Sequence, residues 1–78
     1  MKLKLNRYYK LCYITGYIVL YIDNKWCYRI AEKFGTKPLV TYNIKYRRAT
    51  VNEWQEYINT YNIKIEEMSK EDLFLELL

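Results

Sequence analysis

In residues 39–61, LVTYNIKYRRATVNEWQEYINTY, the hydrophobic period changes halfway. Val40, Tyr42, Ile44 and Tyr46 alternate with Thr41, Asn43, Lys45 and Arg47, the pattern of a strand with one buried face. From Thr50 the period becomes helical. Thr50 and Glu53 have capping-box spacing, and Val51, Trp54, Ile58 and Tyr61, with Tyr57 beside them, make one apolar stripe. A strand therefore hands over to a helix at residues 48–50. Charge changes sign at the same place: residues 1–48 hold eleven Lys/Arg and two acids (+9), and residues 49–78 hold two and seven (−5), summing to +4.

Working outward, residues 2–13 alternate with Leu3, Leu5, Tyr9, Leu11 and Tyr13 on one side and Lys2, Lys4, Asn6, Tyr8, Lys10 and Cys12 on the other. This is an antiparallel-type strand with one wet face, in which Arg7 breaks the pattern and is expected to snorkel past the sheet edge. Thr15 and Gly16 turn the chain into Tyr17–Ile22, apolar on both sides as a central strand is. Asp23, Asn24 and Lys25 suit a tight hairpin turn, and Trp26–Phe34 returns as a strand with Trp26, Tyr28 and Ile30 opposed to Cys27, Arg29, Ala31 and Lys33. Glu32 falls on the apolar side of that strand, which implies that the strand frays or leaves the sheet by then. Past the helix, Asn62 suits a left-handed stop, Ile63 and Ile65 flank Lys64 in a short extended piece, and Ser69 with Asp72 repeats the cap spacing. Residues 70–78 then read as a short terminal helix with Leu73, Phe74, Leu77 and Leu78 as its stripe, either closing the core or joining two chains as a homodimer.

The expected fold is one α+β domain over residues 1–78: a four-stranded antiparallel sheet with one main helix packed on one face and a short C-terminal helix. Seventy-eight residues allow only a thin core, and ten tyrosines are more than it can hide. Cys12 and Cys27, in a chain without histidine, form neither a disulfide framework nor a zinc site. They are expected on one face as reduced thiols, which places the chain in the cytoplasm. Leu11–Ile22 is a twelve-residue apolar run without a cleavage site, read as neither signal sequence nor membrane span. Abundant Lys, Ile, Asn and Tyr, with two Ala and two Gly, point to an A+T-rich genome such as that of a low-GC bacterium, its phage or an archaeal virus.

Parity makes the outer face specific. The helix-covered face should hold Leu3, Leu5, Tyr9, Leu11, Ile18, Leu20, Ile22, Trp26, Tyr28, Ile30, Val40, Tyr42 and Ile44. The outer face should gather Lys2, Lys4, Lys10, Arg29, Lys33, Lys45 and Arg47 around Tyr8, Tyr17 and Tyr21. Cations interleaved with rings are what nucleic-acid-binding sheets use, and also what the solvated face of a basic protein looks like. The acids of the second half read as exposed helix faces. No nucleophile, acid/base pair or metal-ligand set accompanies them, so neither an enzyme nor a cofactor is expected.

The hairpin GYIVLYIDNKWCYRIAEK (16–33), a strand, and a capped helix containing Glu53-Trp54 resemble, over about residues 17–61, small phage-encoded anti-CRISPR proteins of the sheet-plus-helix kind that inhibit type I surveillance complexes. The likeness is one of element order and carries no residue role across. It implies a non-catalytic blocker that presses a sheet or helix face onto a nucleic-acid-processing machine of the host, although the basic sheet departs from the acidic surface of many such inhibitors. The expected function is therefore a small interaction protein that binds a host protein or ribonucleoprotein complex through the basic, tyrosine-rich face. A nucleic-acid-binding module using the same face is the alternative, and no membrane partner is expected.

Overall fold

Tyr17–Ile22, apolar on both sides, forms the middle of the molecule. In a computed structural model that describes residues 2–35, 39–40 and 48–77, it lies within β2 (Gly16–Asp23). This strand is flanked by β1 (Tyr8–Cys12) and β3 (Trp26–Phe34), both antiparallel to it. The chain continues through β4 (Leu39–Val40), β5 (Arg48–Thr50), α1 (Val51–Thr60), β6 (Lys64–Met68) and α2 (Lys70–Leu77). The sheet runs β4-β3-β2-β1-β6, with β5 also paired to β3. β4 faces Ala31 and Glu32 while β5 faces Trp26 to Tyr28, so the two short pieces occupy opposite halves of one edge. Tyr42, Ile44 and Tyr46 of the expected fourth strand lie outside the described residues.

The fold is α+β with an antiparallel sheet, as the patterning implies, but four strands is an undercount. Residues 64–68 add a strand beside β1, from Tyr8 opposite Met68 to Cys12 opposite Lys64. The first strand is also shorter than its alternation implies. Asn6 adopts the left-handed φ of 59° and ends the regular pattern on the N-terminal side of β1. Lys2 and Leu3 instead lie beside α1, where the Leu3 amide donates to Gln55 Oε1 at 2.8 Å, while Asn6 and Arg7 still bond to Ile22 of β2. Leu3 still reaches the core, but Leu5, expected beside it, is exposed. Arg7 is exposed, as expected, but at the N-terminal end of an interior strand and not at a sheet edge, 3.4 Å from Glu67 of β6.

The turns and caps follow local chemistry. Asn24 (φ 55°) and Asn62 (φ 50°) take the left-handed conformation that asparagine tolerates, one in the β2–β3 turn and one after α1. At the start of α1 the Glu53 amide donates to Thr50 Oγ1 at 3.1 Å, and that hydroxyl donates to the Glu53 carboxylate at 2.9 Å. At the start of α2 the Asp72 amide donates to Ser69 Oγ at 3.1 Å. Gly16 is fixed by proximity: a Cβ there would lie 1.8 Å from the Lys33 carbonyl oxygen.

The two helices lie on opposite faces of the sheet. On one face Leu3, Tyr9, Leu11, Ile18, Leu20, Ile22 and Cys27 form the main core with Ile58 of α1, flanked by Val51, Trp54 and Tyr57. On the other, Leu73 of α2 joins Tyr17, Val19 and Ala31 in a second buried cluster. Of the expected terminal stripe, Leu73 closes core while Phe74 stays 64% exposed; the side chains of Leu77 and Leu78 lie outside the described residues.

Parity holds through β1 and β2 and is interrupted in β3. Val19 faces Ala31 but Leu20 faces Arg29, so Ile30 is the extra residue of a β-bulge. Ile30 packs against the α2-side cluster rather than the α1 core expected of it. From Ala31 on, side chains point as expected. Before the bulge they are inverted: Cys27 and Arg29 lie on the α1 side, and Trp26 and Tyr28 on the other. This accounts for Glu32, the acid on the apolar side. It does not fray; it faces Ile18 across the strands and ion-pairs with Arg29.

Candidate interaction face

The α2 side of the sheet, expected to be open, is built in three rows that follow from strand register. Lys64, Cys12, Tyr17 and Lys33 lie in line across the sheet, then Glu66, Lys10, Val19 and Ala31, then Met68, Tyr8, Tyr21 and Tyr28. α2 closes over the middle of the first two rows and leaves Lys64 and Glu66 at their β6 end exposed. Tyr17 is only 5% exposed beneath it. Lys10 Nζ lies 3.0 Å from Glu76 of α2 and 4.5 Å from the centre of the Tyr17 ring. Burial raises the Tyr17 pKa above its ordinary value, and the charge of Glu76 adds to the effect.

The third row stays half-exposed. The Tyr8 and Tyr21 rings are 4.9 Å apart between centroids, Tyr28 stands opposite Tyr21, and the Tyr21 hydroxyl reaches Asn6 Oδ1 at 3.5 Å. Next to this row Asp23 faces Trp26, and Lys25 Nζ sits 5.4 Å from the Trp26 ring centre. The uncovered surface is therefore a band of phenols ending in a tryptophan.

The residues proposed from sequence are partly gathered and partly scattered. Tyr8 and Tyr21 share this band. Lys10, Tyr17 and Lys33 are on the same side, but Tyr17 is buried, Lys10 is paired with Glu76, and all three line a hollow of about 430 Å³ beside α2. Arg29 is a correction: the bulge turns it to the α1 side, where Glu32 neutralises it. Lys2 and Lys4 are exposed on the segment that precedes β1 rather than on the outer face. Lys45 and Arg47 lie outside the described residues. Sequence reasoning missed Tyr28 and Trp26 because strict alternation sends them to the core, and the misplaced Glu32 was the one signal that a residue had been inserted.

No family model, curated protein or solved structure matches this chain.

Among the described residues no group of three or more His, Cys, Asp or Glu stands close enough to hold a metal ion, and no helix is long and apolar enough to cross a membrane. Cys12 and Cys27 are free thiols, not on one face as expected but on opposite faces with β2 between their strands. Burial pushes the Cys27 thiol up to about 12; burial, followed by the nearby Glu66 charge, raises that of Cys12. On the α1 side Tyr13 and Tyr57 share a hydroxyl hydrogen bond of 3.0 Å, and burial together with that bond holds Tyr13 in its neutral form well above the ordinary phenol range. These shifts all favour neutral, unreactive side chains.

Proposed function

We propose that this chain is a small non-catalytic interaction protein, a phage- or virus-encoded inhibitor of the anti-CRISPR kind, which grips a host protein or ribonucleoprotein complex with the uncovered band of its sheet. The carrying observation is the half-exposed row of Tyr8, Tyr21 and Tyr28, continued by Trp26, beside a helix that covers the middle of the other two rows. Tyrosine and tryptophan offer a large, stiff contact area with a polar tip and dominate the energetic centres of protein interfaces. The element order shared with small anti-CRISPR inhibitors supports the class of partner.

A protein surface is favoured over bare nucleic acid by the state of the cations. Arg7, Lys10, Arg29 and Lys64 each have a carboxylate partner within this chain, which lowers the field they offer to phosphates. The test is affinity capture from host lysate with purified variants. Tyr21→Ala and Tyr28→Ala should each lose the partner that wild type retains, with unchanged circular dichroism, while Tyr61→Ala, an exposed tyrosine of the α1 C-terminus, keeps it. Retention by both sheet variants ends this reading. A low-salt gel shift with single-stranded RNA or DNA, abolished by the same two variants, replaces it with the nucleic-acid-binding alternative.

A further inference from the structure

Among the described residues β6 pairs only with β1, which leaves the far side of Lys64–Met68 as the edge of the sheet. The hydrogen bonds show which of its backbone groups point outward. Tyr13 N donates to Gly16 O at 2.8 Å and Ile22 N donates to Arg7 O at 3.1 Å, so the odd-numbered residues of β1 turn toward β2. In an antiparallel ladder alternate residues serve opposite neighbours. Tyr8, Lys10 and Cys12 therefore serve Met68, Glu66 and Lys64, and the N–H and C=O groups of Ile65 and Glu67 are directed away from the sheet.

We propose that this edge joins two copies of the chain, β6 against β6 in antiparallel fashion, about a two-fold axis at Ile65. Charge selects that register from its neighbours. With Ile65 opposite Ile65 of the other copy, the two isoleucines exchange the outward backbone bonds, and each Lys64 stands opposite the other chain's Glu66 in the closer, non-hydrogen-bonded type of pair. A register centred on Glu66 sets carboxylate against carboxylate, and one centred on Lys64 sets ammonium against ammonium. Lys64 and Glu66 are exposed, lie on the same sheet face and are 3.5 Å apart within one chain, so a second copy completes an alternating four-charge cluster. The contact is isologous and closed, since each copy commits its β6 edge to the other. An axis of this kind runs perpendicular to the sheet and places both tyrosine bands on the same side of one continuous sheet.

The experiment is light scattering behind size exclusion over a concentration series, with Lys64→Glu and Glu66→Lys made separately. Wild type should run at twice the chain mass at high concentration. Each variant alone should run at the chain mass, because its like charges face each other. An equimolar mixture of the two should return to twice the mass: one chain then brings a carboxylate at both positions and the other an ammonium at both, so every pair across the axis is opposite in charge. In wild type, raising the concentration should also slow amide exchange at Ile65 and Glu67 specifically, which reports on the same edge without any substitution. A wild type that stays at the chain mass up to millimolar concentration overturns the proposal and leaves the edge to an extended peptide of another protein. A dimer that survives both single variants, or that the mixture does not restore, overturns it as well.

Discussion

Cys27 has no exposed surface, and its thiol is kept neutral by burial alone, which raises its pKa to about 12. In the unfolded chain the same thiol titrates near its ordinary value of 9.0. The contribution to stability is therefore constant below about pH 9 and declines as pH rises toward 12, because only the unfolded state releases the proton over that range. Tyr13 and Tyr17, also raised, add their own decline starting from about 10. Thermal melts should thus be flat through neutral pH and fall above about 9, and Cys27→Ala should shrink the earlier part of that fall, to which the raised Cys12 thiol also contributes, while leaving the tyrosines' part. The same burial predicts thiol chemistry: an aromatic disulfide reagent at about pH 8 should titrate one thiol, Cys12, in the native protein and two in guanidinium. A native protein in which both thiols react at equal rates would contradict the placement of Cys27.

Leu73 is the side chain that docks α2 onto the sheet, and its neighbours on the helix show how lightly the helix is held. Phe74 and Leu75 are 64% and 70% exposed, and the Lys10–Glu76 pair, being partly solvated, is worth little. Leu73→Ala should cost about 2 kcal/mol in urea unfolding, at the low end for such truncations because the site lies at the rim of a small cluster. Phe74→Ala should change stability by less than about 0.5 kcal/mol. Equal effects would mean that the helix docks through another face. Elements also show where reading the chain by eye succeeds. Both capping boxes, the Asp23–Lys25 turn and the apolar run of β2 are local, and each behaves as its residues dictate. The bulge at Ile30 is not local: Glu32 on the apolar side signals an insertion, but the insertion is a mismatch between two strands, and only the partner strand locates it and puts Arg29 on the side of Glu32. The side of the sheet taken by α2 is decided by the length and direction of β6, which a five-residue stretch of mixed polarity does not announce.

Over the whole molecule, stability should grade outward from β2, which has a strand on each side and buried residues on both faces. Hydrogen exchange should find the amides of Ile18–Ile22 slowest and those of β6 and α2 fastest, at concentrations too low for chains to associate. Uniform protection across the sheet would refute that gradient. The opposed charges of the two halves of the chain are redistributed by folding, because β6 and α2 carry their acids back to the basic N-terminal strands: Glu67 meets Arg7, and Glu76 meets Lys10. That redistribution pairs two cations of the basic half with acids of the other. The tyrosine band survives the change, since three of its members come from adjacent positions of three neighbouring strands.

Of the described strands β1 precedes all the others, yet it sits inside the sheet, between the strand that follows it directly and the one that follows last. During synthesis the β1–β2–β3 meander can form as soon as Phe34 has left the ribosome, but one side of Tyr8–Cys12 must wait for Lys64–Met68. Between the synthesis of β1 and that of β6 a nascent chain therefore displays an unsatisfied strand edge, open to chaperones or to the wrong neighbour. Ribosomes stalled before residue 64 should yield chains that precipitate on release, whereas chains that extend past residue 77 bring β6 to the open side of β1 and stay in solution.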